Sequence, residues 1–571
     1  MSSHSPTTLD ISSPLSSQIH PLLHKLFLKR GKTEQDIQDF LSWDLKQLPL
    51  FSDIPDLLKA AQRISAAILR RESIGVFGDY DVDGTTSCAL FFHFFQLLEI
   101  SAEILQPGRF KEGYGIHPPS IEEAVEKGIK LLITVDCGIT ATEASIKARE
   151  LGLDLIITDH HQDILPELPP AYAIVNPSRR DGFQEELKSL AGVGVAFALC
   201  IEIKKILFEE AKISLPSLYF LLPFVAIGTL ADLAPLTPCN LKLIRHGLKA
   251  LQKTELAGLQ SFLKEEEKAL DLLSGEKISF EIGSLLNAKG RMDHPEMSFK
   301  LLISKNFQES QTILQHLQAC NTQRKFIQSQ IVAAAQKQIL LEKNSQNLPP
   351  IAIAFDKEWH EGVIGIVASK LVELFGIPAL VFTYNEHTHL LKGSGRTAGK
   401  LNLFELMNQY AHLFEKFGGH HSACGLSLQP SNLPILKNSL YSILESIPKE
   451  KRTQSFFHDL ELSPQYITVD FIKHIERLGP YGQGHPTPQF LISQLILKDF
   501  KILKKIHVKW IFECAGRFYE GISFSYFQSP SSIFPQEFLN RPLKIIATLG
   551  LNRFNNNCLP QLFIKNISTF S

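Results

Sequence analysis

The sequence has 571 residues, 44% of them hydrophobic, enough for several cores; at roughly 100–200 residues per domain it predicts three to five units. A formal net charge of −1 and a pI near 7.1 exclude a global basic field, so any polyanion must be bound by Lys and Arg gathered in local grooves. There is no uncharged apolar run of about 18 residues to predict a membrane span. The start is polar where an export signal would be basic and then apolar, and eight dispersed cysteines without a C-x-x-C pair fit reduced thiols in the cytoplasm.

Residues 1–17 are rich in Ser, Pro and Thr and read as a tail, with packed helices expected from Ile19. From about Ser73 to Leu236, β-rich runs (Ile74–Phe77, Leu131–Val135, Leu155–Thr158, Tyr172–Val175) alternate with helical segments such as Ser87–Leu98 and Glu143–Leu151. That alternation predicts an α/β fold with a parallel sheet, placed with the preceding helices in residues 18–306. Residues 307–346 contain neither Gly nor Pro and predict one long helix joining two lobes. A smaller α/β region follows over 347–450, and 451–571, dense in β-branched and aromatic residues with turn signals, predicts a small β-barrel.

The strongest chemical signal is GDYDVDGTT, Gly78 to Thr86, between an apolar strand and a helical segment. If the strand end stays extended, residues two apart face one side, and Asp79, Asp81 and Asp83 converge as hard oxygen ligands. Three such charges repel one another, and a divalent cation resolves the conflict. The same residues would serve a plain turn that caps the next helix, since Asp and Thr are good N-caps. An EF-hand is disfavoured because its twelfth position, counted from Asp79, is Leu90. Leu131–Val135 runs into Asp136, and Leu155–Thr158 into Asp159-His160-His161. Ligands of open parallel sheets gather beyond the carboxyl ends of the strands, so these loops should face one crevice. Asp232 interrupts an apolar run and needs a metal or another charged partner, because a buried unpaired carboxylate is costly. Carboxylates with imidazole and no thiolate favour Mn²⁺ or Mg²⁺, with ligands enough for two ions. Such a pair, about 3.5–4 Å apart, suits phosphodiester hydrolysis.

The ordered set GDYDVDG, VDCGI, TDHH and GTLADLAPL resembles the DHH phosphoesterase superfamily. The resemblance implies a parallel-sheet lobe holding the metals, tied by a linker to a DHH-associated lobe that binds substrate. It implies Asp79, Asp81, Asp83, Asp136, His160 and Asp232 as metal ligands, His161 as a contact to the scissile phosphate or an ordering group, and Asp159 as the support of a histidine. Further segments are similar to the RecJ branch: Arg30-Gly31 with the helix containing Asp39-Phe40-Leu41, Asn287 to Met292, Trp359 to Ser369, Lys392 to Arg396, Gly418-Gly419-His420, and Gly479 to Gly484, which opens a segment like that branch's terminal OB-fold. This implies 5′-to-3′ digestion of single-stranded DNA in recombination and repair, alongside a single-strand-binding protein and a RecQ-type helicase. Two other readings stay open: a DHH enzyme for short oligonucleotides or cyclic dinucleotides, and a non-enzymatic single-strand-binding scaffold.

In the associated lobe, Ser394, Gly395 and Arg396 are expected in a flexible loop whose guanidinium captures a phosphate, while Gly418, Gly419 and His420 offer amides and an imidazole to an anion. Both glycine pairs are also ordinary turns. His421 stands where the family pattern has a small residue. Asn287 and Arg291 are candidate substrate contacts, with an ion pair to Asp293 or Glu296 as the alternative for Arg291. In the C-terminal segment, Lys505, Lys509 and Trp510 are candidate surface contacts for unstacked bases, or else part of a solvated face.

Overall fold

The computed structural model describes residues 19–107, 115–263, 275–292, 296–342, 348–529, 532–554 and 557–569. Its two compact units do not follow chain order: one holds Lys32–Asn321 with Leu478–Thr487, the other the chain up to Gly31, Thr322–Arg477 and Pro488 onward. Helix α1 (Pro21–Lys29) therefore belongs with the later segments. The residue that ends it, Arg30, clamps Asp459 through both guanidinium arms, at 2.7 and 2.8 Å.

The Lys32–Asn321 unit begins with α2 (Glu34–Leu41) and α3 (Leu57–Arg70). It is built on strands β1 (Ile74–Gly78), β2 (Glu103–Leu105), β3 (Leu131–Val135), β4 (Asp154–Thr158) and β5 (Ala173–Val175), in the order β2-β1-β3-β4-β5. All pairs are parallel, and β1 and β3 are buried at every residue, which is why they read as continuous apolar runs rather than alternating ones. Helices α4 (Val82–Gln96), α5 (Pro118–Glu126), α6 (Thr142–Glu150) and α7 (Gly192–Ala211) cover the two faces. Ile121, Ala124, Ala144 and Ala148 from α5 and α6 pack on Leu132, Leu155 and Ile157. On the other face α4 runs against α7 and against α8 (Leu222–Asp232), and α9 (Pro238–Gln252) packs on α8. Because β1 connects to β2 on one side and the chain then returns to β3 on the other, the switch point lies between β1 and β3, where a crevice opens at the strands' carboxyl ends.

The helix Phe307–Leu341, 35 residues long, begins in this unit and ends in the other. There a second sheet has the order β6-β7-β8-β10-β9, with β6 (Ala352–Phe355), β7 (Ala379–Asn385), β8 (Leu390–Arg396), β9 (Phe414–His420) and β10 (Ala423–Leu428). Helix Glu361–Phe375 lies on one side of it, and Leu403, Leu406, Leu436 and Leu440 fill the core on the other. The last segment adds β11 (Leu460–Glu461), β12 (Phe490–Leu503), β13 (His507–Cys514), β14 (Arg517–Ser523), β15 (Pro542–Phe554) and β16 (Asn557–Thr569). Pairing of β12 with β15 closes β12-β13-β14-β16-β15 into a five-stranded barrel. Among the described residues, no helix is long and apolar enough to cross a membrane.

Candidate metal centre

Four strand and helix ends deliver the acidic and histidine residues to the β1/β3 switch point. The aspartate run does not stay extended as expected: the chain turns after Asp79, Asp81 becomes the N-cap of α4, and Asp83 lies in that helix's first turn. Asp81 Oδ1 accepts the Gly84 amide at 3.0 Å, so the cap and the candidate ligand are one residue. Asp136 follows β3 with φ +61°, a backbone rarely adopted by non-glycine residues, and the fold holds it there. His160 and His161 follow β4, and Asp232 ends α8. Ligand atoms fall within 4.8 Å of one another in three overlapping groups: Asp79, Asp81 and Asp136; Asp83, His160 and Asp232; Asp136, His160 and His161.

The environment penalises the charges gathered here. Burial and the neighbouring Asp81 push Asp79 up to about 8. Burial followed by Asp232 raises Asp83 well above the carboxylate range, and burial followed by Asp83 does the same to Asp136. Burial raises Asp232 as well, and burial together with His161 lowers His160. Asp79 Oδ1 and His160 Nε2 are buried without a hydrogen bond, and His160 Nε2 lies 3.1 Å from Asp136 Oδ1 and 3.8 Å from Asp83 Oδ2. Converging oxygens and imidazole that repel or lack partners fit a divalent cation, and Mn²⁺ or Mg²⁺ matches this donor set. The nearby Cys88 and Cys137 thiols are pushed up by burial and stay neutral.

A surrounding layer orients these groups. Asp159 Oδ1 meets His161 Nδ1 at 2.7 Å and the His160 and His161 amides at 2.7 and 3.1 Å, while Oδ2 accepts the Ile139 amide at 2.9 Å. Burial opposes protonation of His161, but the hydrogen bond and charge of Asp159 outweigh it and lift the imidazole to about 9. Sequence reasoning missed three supports. The first two amides of α7, Gly192 and Val193, hold Asp83 at 2.6 and 2.9 Å, so both its oxygens are engaged. Buried Asn176 donates to the His161 carbonyl at 2.9 Å and accepts the Ser178 amide at 2.7 Å. Gln106 bridges the Asp79 carbonyl and the Thr85 hydroxyl, both at 3.2 Å. The Asn-Pro pair just after β5 was the available signal for Asn176; the other two rest on long-range packing.

Asn287 is half-buried in the helix Ser284–Met292, and the side chain of Arg291 lies outside the described residues. In the other unit, residues 393–396 are not a loop but the end of β8, and Gly418 to His420 end β9. Their register through β10 aligns Arg396, Ala423 and His420 in one row, then Gly395, Cys424 and Gly419 in the next. The glycines of β8 are packing positions: a Cβ at Gly393 would come within 2.4 Å of the Phe382 ring. Arg396 is half-buried and donates to Ser394 Oγ at 3.2 Å and the Gly395 carbonyl at 2.7 Å. Gly365 of the overlying helix leaves room for it, with Nη2 3.3 Å from where a Cβ would sit. His420 and His421 are exposed.

On the barrel one expectation is overturned. Trp510 is fully buried, with its indole N–H donated to Ser523 Oγ at 2.9 Å and its ring beside Phe512, so it cannot stack on a base. Alternation along β13 puts Val508, Trp510 and Phe512 inside and Lys509 outside, where Lys509 pairs with Glu520 at 2.7 Å. Lys505 is exposed in the β12–β13 turn.

Comparison with known proteins matches three family models: the DHH family N-terminal domain over residues 73–229, the DHHA1 domain over 348–446 and the RecJ OB domain over 458–566. The chain is 31% identical to the single-stranded-DNA-specific exonuclease RecJ of Escherichia coli, covering 98% of both chains. It is 34% identical to that of Bacillus subtilis, covering 97% of this chain and 69% of the other. Among solved structures, RecJ of Thermus thermophilus in complex with Mn²⁺ has the same fold, with a TM-score of 0.78 at 23% identity, covering 97% of this chain and 76% of that one.

Proposed function

The chain belongs to the RecJ family of single-stranded-DNA-specific exonucleases, and from that premise we propose that it is a metal-dependent nuclease digesting single-stranded DNA in the 5′-to-3′ direction. The observation that carries this reading is the meeting of Asp79, Asp81, Asp83, Asp136, His160 and Asp232 at one switch point. These residues would hold two ions, Mn²⁺ or Mg²⁺, and the overlapping ligand groups supply donors for both. Bound there, the ions would supply Lewis acidity and activate water for attack on phosphorus.

The chain's own groups do the rest. Asp159 keeps His161 protonated at neutral pH, so that its imidazolium can present Nε2–H to a phosphate oxygen. The α7 amides hold Asp83 against rotation. Arg396, Ser394 and the exposed His420 are the proposed phosphate contacts of the second unit, with Asn287 and Arg291 as further substrate contacts. Lys505 is the barrel residue retained as a DNA contact; Lys509 takes part only if its pair with Glu520 opens. A cytoplasmic role in recombination and repair, with a single-strand-binding protein and a RecQ-type helicase as partners, accords with this activity.

Digestion of end-labelled single and double strands with and without Mn²⁺ tests the reading. Label at the 5′ end should leave first, only from single strands and only with metal. Asp81→Ala and His160→Ala should abolish cleavage while DNA binding persists; Mn²⁺-dependent cleavage by either variant would overturn the site.

A further inference from the structure

The glycine-rich segment Gly479 to Gly484 lies between the second sheet and the barrel in sequence, yet Leu478–Thr487 packs within the Lys32–Asn321 unit. Part of it lies against the loop that follows Asp232. Leu236 donates its amide to the Gln483 carbonyl at 2.7 Å. A Cβ at Gly482 would sit 3.0 Å from Leu236 Cδ1, and Gly484, at φ +76°, lies against Pro235 and Leu236. From the other side, Asn240 Nδ2 donates to the Pro235 carbonyl at 2.9 Å.

The segment is itself tightly fixed. Buried Arg245 donates to the carbonyls of Leu478 and Gly479 at 2.9 Å each and of Phe40 at 2.7 Å. The His485 ring stacks between Phe40 and Tyr481, at 5.0 and 4.8 Å, and Nε2 meets the Leu478 carbonyl at 3.0 Å. Asp232 needs such support. It is the last residue of α8, where the negative end of the helix dipole disfavours an anion, and Leu233 after it turns into the left-handed region at φ +62°.

We propose that Leu478–Thr487 is a positioning element of the metal centre, setting through Leu236 and Pro235 where the Asp232 carboxylate sits. The proposal rests on Asp232 being a metal ligand. It assigns Tyr481, Gly482 and His485 to the support of a ligand rather than to the barrel that follows them.

Mn²⁺ titration of the full chain, read by calorimetry and by the electron paramagnetic resonance of free ion, tests it beside melting temperature. Asp232→Asn should remove or weaken one class of sites. His485→Ala and Gly482→Val should weaken that same class about tenfold, the scale seen for supporting residues of metal ligands, while His485→Phe, which keeps the ring stack, retains most of the affinity. DNA binding without metal should be unchanged. Lower melting temperature with unaltered Mn²⁺ affinity in both supporting variants would overturn the proposal while leaving the metal site standing. Undiminished Mn²⁺ binding by Asp232→Asn would instead overturn the ligand assignment and the inference with it. Should His485→Ala not fold, Gly482→Val decides.

Discussion

His161 Nδ1 lies 2.7 Å from Asp159 Oδ1, and that contact is the main influence favouring the charged form of a histidine at the edge of the candidate metal centre. His161 is lifted to about 9, whereas burial alone would have lowered it. Asp159, which burial would raise, is held below the usual carboxylate range by the His161 hydrogen bond and charge.

The signs give a window. A histidine raised above its ordinary value of about 6.5 contributes stability that is complete below that value and lost as pH climbs through about 9. A depressed aspartate contributes stability above about 3.8 that is lost as pH falls through its lowered value. The pair is therefore intact across the neutral range. Asp159→Asn should lower the pH at which the His161 ring titrates by NMR in the metal-free protein, from about 9 toward neutrality, and should move the alkaline limb of kcat/KM in the same direction. An unmoved limb would show that His161 need not be charged.

The carboxylates of the candidate metal centre carry the opposite consequence. Asp79, at about 8, with Asp83, Asp136 and Asp232 also raised, binds protons in the native state that the unfolded chain gives up near 4. Their contribution is full at acid pH and is lost as pH rises through the native values. The metal-free protein should melt at progressively lower temperature from about pH 5 to about pH 8, while Mn²⁺ stabilises it increasingly over the same range. Scanning calorimetry with and without chelator checks this, and a melting temperature independent of pH in chelator would contradict it.

Much of the site was legible because strands buried on both faces spell themselves as apolar runs, and each run here ends on its chemistry: Gly78 before Asp79, Val135 before Asp136, Thr158 before Asp159. What the sequence concealed depended on which way a side chain turned. Asp83 follows the same two-residue spacing as Asp79 and Asp81 but sits in a helix, and its partners, the amides of Gly192 and Val193, are more than a hundred residues away. Gly393 and Gly395 looked like a loop because glycine frees the backbone. Their real constraint is the side chains packed over β8, Phe382 on one and Cys424 on the other. Trp510 stood among lysines in sequence, but period-two alternation sends it inward and Lys509 outward.

That burial makes Trp510 a test of the barrel rather than of DNA contact. Trp510→Ala removes a fully buried indole and the partner of Ser523, and should cost about 3–5 kcal/mol in the barrel's stability. Trp510→Phe should cost less and leave single-strand affinity within about twofold, since no base stacks on the ring. Denaturant unfolding and fluorescence anisotropy separate the two effects. A large loss of affinity in a fully folded Trp510→Phe protein would restore the stacking role.

Gly228 offers the sharpest probe of the space that the proposed ligands require. It lies on α8 one turn before Asp232, and a Cβ there would come within 2.4 Å of Thr86 Oγ1 and 2.8 Å of Asp83 Oδ1. The methyl of Gly228→Ala must therefore displace Thr86, Val193 and Asp83, or drive α8 away from α4 and α7. Overpacking of this kind costs about 1–3 kcal/mol, which a stable fold survives. The displacement of Asp83 or Asp232 would reach the proposed metal ligands directly. Nuclease activity should fall far more than melting temperature predicts, and half-maximal activity should need a higher Mn²⁺ concentration. A Gly228→Ala protein with wild-type turnover and unchanged Mn²⁺ requirement would contradict the proposal that Asp83 and Asp232 share an ion.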